Sequence, residues 1–232
     1  MYQLVLFDLD GTLTDPGVGI TNSVAHALKK FGLAVPERAA LYKFIGPPLH
    51  ESFERYCGFS QEQAQTAVAY YREYFREKGI YENFVYDGVE ELLKALRGAG
   101  RTLAVATSKP EVFAKQILEH FHLDPYFTYV AGANLDGTRT RKDQVIACAL
   151  RGCGVEAPAA AVMVGDREYD IWGARKQGLD SIGVLYGYGG QTELQTAGAT
   201  HLAARPGDIF SLVTENGEEG RHGIPVLRKG KF

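Results

Sequence analysis

The sequence contains few cysteines: Cys57, Cys148 and Cys153 are the three in 232 residues. Their positions lack the spacing of zinc ligands, and an odd number of thiols argues against a disulfide framework. We therefore expect reduced thiols and no structural zinc site.

Long hydrophobic runs are also absent. No segment approaches the roughly 20 apolar residues that are needed to cross a bilayer. Asp8 follows Met1 too closely to leave room for the apolar part of a signal peptide. We expect a soluble, cytoplasmic protein that does not enter a membrane.

The chain has no large excess of charge of one sign. It carries 25 basic and 28 acidic residues, for a formal net charge of −3. A protein that binds a nucleic acid polymer usually presents a basic face or stripe, so we do not expect such a partner. Hydrophobic residues make up 45% of the chain, which is enough for a sizeable core. The sequence leaves open whether the protein is a monomer or a homodimer.

Short apolar runs alternate with helical patterns along most of the chain. Runs of this kind are typical of strands that are buried on both faces of a parallel sheet. The five predicted strands are residues 4–7, 102–106, 126–130, 161–164 and 181–185. The predicted helices between and after the later strands are 89–99, 111–121, 142–151 and 171–177. The alternation predicts an α/β fold, a doubly wound, Rossmann-like parallel sheet.

A helical segment interrupts this alternation after the first strand. It contains no convincing strand, and its predicted helices are 20–31, 37–44, 49–56 and 60–78. We expect an α/β core of residues 1–16 and 85–214 with an inserted all-helical cap of residues 17–84. A polar, glycine-containing break then leads into a predicted C-terminal tail of residues 215–232.

Two carboxylates stand at the end of the first predicted strand. In an extended chain Asp8 and Asp10 point the same way, beyond the carboxyl end where α/β sheets bind ligands, and Gly11 permits a sharp turn after them. Neighbouring like charges push their pKa values apart, so that one carboxyl can stay ionised while the other keeps its proton. Attack on phosphorus uses this division between a nucleophile and an acid. Two solvated acids at a strand end are the simpler alternative.

Residues 7–13, FDLDGTL, resemble the nucleophile motif of the haloacid dehalogenase-like hydrolase superfamily almost letter for letter. The resemblance runs from residue 2 to about 210, and is closest to the branch of phosphoglycolate phosphatases and related sugar-phosphate and nucleotide phosphatases. It implies a Mg²⁺-dependent phosphatase with a helical cap, which works through an aspartyl-phosphate. By this resemblance Asp8 is the nucleophile and Asp10 the general acid and base, with Gly11 and Thr12 among the substrate-binding residues.

The resemblance also gives roles to Thr107, Ser108 and Lys142. Thr107 ends the second core strand and resembles the residue that donates a hydrogen bond to the phosphoryl group, with Ser108 beside it. Lys142 resembles the lysine of the third motif. A cation at a predicted helix start is disfavoured by the helix dipole unless an anion lies nearby. Alone, Thr107 would be read as a turn residue and Lys142 as a surface charge, and Arg141 competes with Lys142 for its role.

Asp166 and Asp170 follow the strand at 161–164, and four residues separate them, which places them on one face of a helix. Carboxylates at the carboxyl end of a strand suit Mg²⁺, and the pair matches the acidic fourth motif of the family. We expect Asp8, Asp10 through its main-chain carbonyl, and Asp166 as metal ligands. Asp170 is expected to act directly, through water, or as support for another ligand.

The sequence leaves alternative functions open. Asp10 argues against dehalogenation, and Thr12 and Arg167 favour hydrolysis over the phosphomutase chemistry of a related branch. A receiver-type signalling domain also phosphorylates an aspartate, but the length and the inserted helices argue against it. The intact motif set argues against an inactive family member that serves as a binding module. The substrate is left open among phosphoglycolate-like compounds, nucleoside 5′-monophosphates and sugar phosphates.

Overall fold

A computed structural model describes residues 1–155 and 158–215. Its centre is a six-stranded parallel sheet in the order β5-β4-β1-β6-β7-β8. The strands are β1 (Leu4–Phe7), β4 (Thr102–Pro110), β5 (Tyr129–Ala133), β6 (Ala161–Gly165), β7 (Asp180–Val184) and β8 (His201–Ala203). This sheet and the helices around it confirm the expected doubly wound α/β fold.

Helices cover both faces of the sheet because its central strands are apolar on both sides. Val5 and Phe7 of β1 pack on one face, and Leu4 and Leu6 pack on the other. The first face is covered by α5 (Val89–Gly98), α6 (Glu111–His120) and α10 (Asp208–Thr214). The second face is covered by α7 (Lys142–Gly152) and α8 (Glu168–Lys176), and α9 (Gln191–Ala197) packs beside α8.

A group of helices between β1 and β4 forms the cap over the carboxyl end of the sheet. Its members are α1 (Gly17–Lys30), α2 (Arg38–Leu41), a 3₁₀ turn (Tyr42–Phe44), α3 (Leu49–Cys57), α4 (Gln61–Tyr74) and a π-helical turn (Phe75–Gly79). Helix α4 begins with the expected capping box, in which Ser60 and Gln63 exchange hydrogen bonds. The cap core is built from apolar residues of α1, α3 and α4, among them Val24, Phe53 and Ala67.

Some elements differ from the sequence-based prediction. Strand β5 begins at Tyr129, not 126, because Asp124–Tyr126 form a 3₁₀ turn that Pro125 starts with its fixed φ. The helix predicted at 37–44 is divided into α2 and the 3₁₀ turn, and the helix predicted at 171–177 already begins at Glu168. Helix α4 ends at Tyr74, where the π-helical turn replaces its predicted last turn.

Two short strands were missed where the chain enters and leaves the cap. Strand β2 (Thr14–Asp15) pairs antiparallel with β3 (Phe84–Val85). Two residues carry too little periodicity to be recognised, and the boundary predicted between 84 and 85 falls inside β3. The division into 1–16 with 85–214 and 17–84 therefore stays a prediction. Apart from Glu215, the predicted tail at 215–232 lies outside the described residues.

None of the helices in the described part of the chain combines the length and the apolar character that a membrane crossing requires.

Candidate active site

The carboxyl ends of β1, β4 and β6 bring the sequence motifs to one edge of the sheet. Phe7 at the end of β1 is aligned with Val105 on β4 and with Val164 on β6. The residues that follow in each strand therefore emerge side by side. Asp8 and Asp166 are both buried at this edge.

Three buried carboxylates form an acidic cluster, which we define as Asp8, Asp166 and Asp170. One oxygen from each lies within 4.8 Å of the others. Lys142 at the start of α7 is buried against the cluster, with Nζ 2.8 Å from Asp8 Oδ1 and 2.7 Å from Asp170 Oδ1. Its ammonium also donates to the carbonyl of Ala106, at 3.1 Å. The helix dipole disfavours an ammonium at the start of α7, but the carboxylates of Asp8 and Asp170 face this ammonium and offset that effect.

The acidic cluster holds more negative charge than Lys142 balances. Burial raises the pKa of Asp166 well above its usual range, and repulsion from Asp170 and Asp8 adds to this. Burial likewise raises the pKa of Asp170 to about 6, although Lys142 opposes the shift. The two carboxylates around Lys142 raise the pKa of its ammonium despite burial. Three converging carboxylates with one cation among the described residues suit a divalent metal ion that prefers oxygen ligands.

Arg141, the competing candidate for the lysine role, lies outside the site. Its guanidinium is exposed and pairs with Asp143, at 2.9 Å between Nη2 and Oδ2. It does contribute to the start of α7, where its backbone N–H donates to the side chain of Gln144. Geometry therefore brings Lys142, and not Arg141, to Asp8.

Asp10 is engaged differently from Asp8. Its carboxylate lies outside the acidic cluster and pairs with Lys109, whose Nζ is 2.9 Å from Oδ1 and 2.6 Å from Oδ2. Burial raises the pKa of Asp10, while Lys109 opposes the increase. The Lys109 ammonium in turn lies 4.7 Å from the ring centroid of Phe75 in the cap. The two acids of the first motif therefore have separate partners.

Lys109 is a site residue that sequence reasoning missed. It lies on the end of β4, where the register with β5 shifts between Ala106 and Pro110. Thr107 is buried there, and its Oγ1 accepts a hydrogen bond from the backbone N–H of Lys109 at 3.2 Å. A lysine directly after the Thr107–Ser108 pair was the available signal, but the sequence does not show which acid it would face.

Gly11 and Thr12 form the turn beneath the acidic cluster. Gly11 has a φ of +84°, and any side chain there would collide with the carboxylate of Asp166. Thr12 is buried, with Oγ1 3.5 Å from Asp166 Oδ1. Both residues therefore contact the acidic cluster, while the cavity described below is lined by Asp8 and Asp10 of this motif.

The glycine-rich loop at 186–190 also belongs to the site, although the sequence indicated only a loop near its rim. The backbone N–H of Tyr188 donates to Asp166 Oδ2 at 2.8 Å, and the hydroxyl of Tyr186 donates to the carbonyl of Thr12 at 3.0 Å. Gly187 allows this close approach, since a side chain there would collide with Gly11 and Asp166. The hydrogen bond from this loop orients the carboxylate of Asp166.

A cavity of about 500 Å³ lies between the cap and the core. Asp8, Asp10, Thr107, Ser108 and Lys109 line its core side. The turn that joins the cap helices α2 and α3 contributes a second group of lining residues, Phe44, Gly46, Pro47, Pro48 and Leu49. The sequence had left open whether this turn faces the site or only connects helices, and it faces the site.

Arg167 joins this cap turn to the core. The residue follows Asp166 and precedes α8. Its Nη1 donates to the carbonyl of Ile45 in the cap turn, and its Nε lies 2.8 Å from Glu193 Oε1 on α9. The motif that carries Asp166 and Asp170 therefore also contacts the cap.

Comparison with known proteins gives a consistent result. The family model "Haloacid dehalogenase-like hydrolase" matches residues 5–184. A protein named 5′-nucleotidase from Pseudomonas aeruginosa is 50% identical over 203 residues, which are 88% of this chain and 91% of that protein. The crystal structure of a predicted phosphatase from Clostridium acetobutylicum superimposes with a TM-score of 0.90 at 49% identity, covering 93% of this chain and 100% of that one.

A protein that is named as a kinase, and not as a phosphatase, is also similar to this chain. Tyrosine-protein kinase PtkA from Mycobacterium tuberculosis is 46% identical over 187 residues, which are 81% of this chain and 63% of that protein. Phosphoglycolate phosphatases are among the more distant relatives, at 28% identity. Relatives named as phosphatases cover most of the chain, so the expected family, branch and enzyme class are confirmed. The chain belongs to the haloacid dehalogenase-like hydrolase family.

Proposed function

We propose that the protein is a Mg²⁺-dependent phosphatase that hydrolyses a small phosphomonoester through a phosphoryl-Asp8 intermediate. The observation that carries the proposal is the position of Asp8. Its carboxylate belongs to the acidic cluster, is held by Lys142, and borders the cavity beside Asp10. A nucleophile, a cation and an acid thus meet where a substrate can enter.

Two acids divide the chemistry between them. In the first step an oxygen of Asp8 attacks phosphorus, the new O–P bond forms, and the ester P–O bond breaks. The leaving alcohol oxygen takes a proton from the carboxyl of Asp10, whose pKa is raised by burial and lowered by Lys109. In the second step Asp10 accepts a proton from water as that water attacks phosphorus, which frees phosphate and restores Asp8.

The remaining site residues position groups and balance charge. Lys142 holds Asp8 and Asp170 in place, and Thr107 and Ser108, which line the cavity, would donate hydrogen bonds to the phosphoryl oxygens. Gly11 and Thr12 shape the turn beside the transferred group. Asp8, Asp166 and Asp170, with the main-chain carbonyl of Asp10, would hold Mg²⁺, which supplies neutralisation of the phosphoryl charge when bound.

The substrate class is a small phosphorylated metabolite. Relatives named 5′-nucleotidase and phosphoglycolate phosphatase support a nucleoside 5′-monophosphate or a phosphoglycolate-like compound, and a sugar phosphate also suits a cavity of about 500 Å³. These compounds share the phosphomonoester that the core would act on, and they differ only in the part that the cap would contact.

Removal of the nucleophile tests the proposal. Wild-type protein is expected to release phosphate from p-nitrophenyl phosphate with Mg²⁺, and to lose this activity in EDTA. The Asp8→Asn variant is expected to release phosphate at least 10³-fold more slowly, since the uncharged carboxamide of asparagine is a poor nucleophile towards phosphorus. Circular dichroism and thermal unfolding check that the variant is folded. Equal rates for a folded variant and wild type would exclude Asp8 as the nucleophile.

The similarity to a protein named tyrosine-protein kinase supports a second candidate, transfer of the phosphoryl group to an acceptor other than water. A phosphoryl-Asp8 can in principle pass its group to a hydroxyl of a protein or a sugar, as a phosphotransferase or phosphomutase would require. A receiver-type signalling domain would instead keep the group on Asp8. Radiolabelled substrate distinguishes these functions: label in inorganic phosphate favours the phosphatase, and label on a second molecule or retained on the chain favours its competitors.

A further inference from the structure

One face of helix α4 lines the cavity along its whole length. The lining residues of this helix and of the turn after it are Gln61, Gln65, Val68, Tyr71, Arg72 and Phe75. Apart from Tyr71, their spacing alternates between four and three residues, which places them in one row along a helix. The row begins at the amino end of α4 and ends at Phe75, whose ring contacts the Lys109 ammonium beside Asp10.

Arg72 is the cation of this row. It precedes Phe75 by three residues, or about 4.5 Å along the helix axis at the usual rise of 1.5 Å per residue. Arg72 lines the cavity from the cap and not from the core. In the proposed function the core residues bind the reacting phosphate. A cation on the cap is therefore available to bind another part of the substrate.

The Arg72 guanidinium has no polar partner within the described residues. It is half-buried and makes no ion pair or hydrogen bond with them, although a guanidinium offers five N–H donors. Burial lowers its pKa, and the positive charge of Arg76 lowers it further. The adjacent Glu73 is engaged elsewhere, with His26 and Lys30.

The acids around the cavity do not satisfy this cation. Glu54 on α3 lines the cavity but lies beyond ion-pair distance of Arg72, and His50 lies on the same helix. Asp136 accepts hydrogen bonds from the backbone and the hydroxyl of Thr138, at 2.9 and 2.7 Å. The N–H donors of Arg72 that face the cavity are therefore not satisfied by the described residues, and an anionic group of a ligand could accept from them.

We propose that Arg72 binds a second anionic group of the substrate, a carboxylate or a second phosphate, at the cap end of the cavity. The proposal rests on the proposed phosphatase function and defines its substrate class as a phosphomonoester with a second negative charge. The planar fork of arginine matches both groups, because each offers two oxygens to parallel N–H donors. Nucleoside 5′-monophosphates, whose far end is a neutral base, are disfavoured by this assignment.

Paired substrates test the proposal. Phosphoglycolate is compared with 2-hydroxyethyl phosphate, and fructose 1,6-bisphosphate with fructose 6-phosphate, so that each pair differs in the second anionic group. For wild-type protein we expect a higher kcat/KM for the anionic member of at least one pair. The pair that shows the preference identifies the anion as a carboxylate or as a phosphate.

Arg72→Gln is expected to lower this preference about 10- to 100-fold, mainly through KM, in line with the loss of a charge-assisted hydrogen bond. Arg72→Lys keeps the charge without the fork and should retain an intermediate preference. Arg76→Gln is the matched control, since Arg76 is exposed, lies one turn further along the chain and does not line the cavity. It should leave the preference unchanged. Thermal unfolding verifies that each variant is folded.

Each outcome can be assigned to one of the two proposals. Absence of phosphate release from every substrate by wild-type protein would contradict the phosphatase function itself. Phosphate release with equal preference in wild type and Arg72→Gln would leave the phosphatase in place and overturn the anion subsite. An equal loss for adenosine 5′-monophosphate and for the anionic substrates would also overturn it, because the guanidinium would then recognise something other than charge.

Discussion

At the scale of single residues, Lys142 is the cation that pairs with two carboxylates of the acidic cluster. Its ammonium lies between Asp8 and Asp170, and all three side chains are buried. A buried ion pair contributes little net stability when it forms, but the loss of one partner leaves the other charge buried alone. Lys142 should therefore be needed for stability as well as for the position of Asp8.

We predict that Lys142→Met lowers the free energy of unfolding at neutral pH by about 3–5 kcal/mol and reduces phosphate release at least 10²-fold. Because the acidic cluster then lacks its only close ammonium among the described residues, Mg²⁺ should raise the melting temperature of the variant more than that of wild type. Arg141→Met is the matched control, because Arg141 is exposed and, within residues 1–155 and 158–215, forms an ion pair with Asp143 alone. Equal destabilisation in both variants, measured by thermal unfolding, would contradict this account.

The sequence indicated all three residues of the acidic cluster, and Lys142 beside it, because they stand at fixed places relative to strand ends and helix starts. It identified Asp8, Asp166, Asp170 and Lys142, which the structure brings together. The partner of Asp10 could not be predicted in the same way. The Lys109–Asp10 pair joins two residues 99 positions apart, and it depends on the local shift of register at the end of β4.

At the scale of elements, the turn between cap helices α2 and α3 meets the loop before α8. Gly46 in this turn has a φ of +104°, and a side chain there would come within 3.0 Å of Arg167 Cγ. Arg167 bonds to the carbonyl of Ile45 on the cap and to Glu193 on the core. These contacts hold the cap turn against the element that carries Asp166.

We predict that Arg167→Met loosens the cap turn. The Lys43–Phe44 bond lies beside the turn, and Lys43 is exposed, so trypsin should cut there several-fold faster in the variant. KM should rise, because the turn lines the cavity. The control is Arg38→Met, since Arg38 is an exposed arginine on α2, outside the cavity lining. An unchanged cleavage rate at Lys43 in Arg167→Met would show that Arg167 does not restrain the turn.

The elements that the sequence missed were short or displaced. Strands β2 and β3 have two residues each, and β8 at the edge of the main sheet, which was also missed, has three, too few for a clear pattern. The predicted start of strand β5 was three residues too early. The apolar residues from 126 onward resemble a strand throughout, but Pro125 belongs to a 3₁₀ turn that ends at Tyr126. Strands β1 and β6 were predictable because each is an apolar run that is followed by an aspartate, Asp8 after Leu4–Phe7 and Asp166 after Ala161–Gly165.

At the scale of the whole molecule, the cap and the core enclose a cavity with different chemistry at its two sides. The core side holds Asp8 and Asp10, which would perform the reaction, and the cap side holds Arg72 and the apolar turn, which would select the substrate. The sequence predicted the core chemistry from motifs. It could not predict the cap side of the cavity. Arg72 is one of several charged residues on α4, and only the fold shows which face of the helix lines the cavity.

The most direct test of the central claim is chemical trapping of the phosphorylated side chain. Protein is mixed with excess p-nitrophenyl phosphate and Mg²⁺, quenched in acid during turnover, reduced with borohydride, digested and sequenced by mass spectrometry. Because borohydride reduces an aspartyl-phosphate to homoserine, we predict homoserine at position 8 and nowhere else, and none without substrate. Homoserine at another aspartate, or intact Asp8 throughout a reaction in which the intermediate is shown to accumulate, would contradict the account.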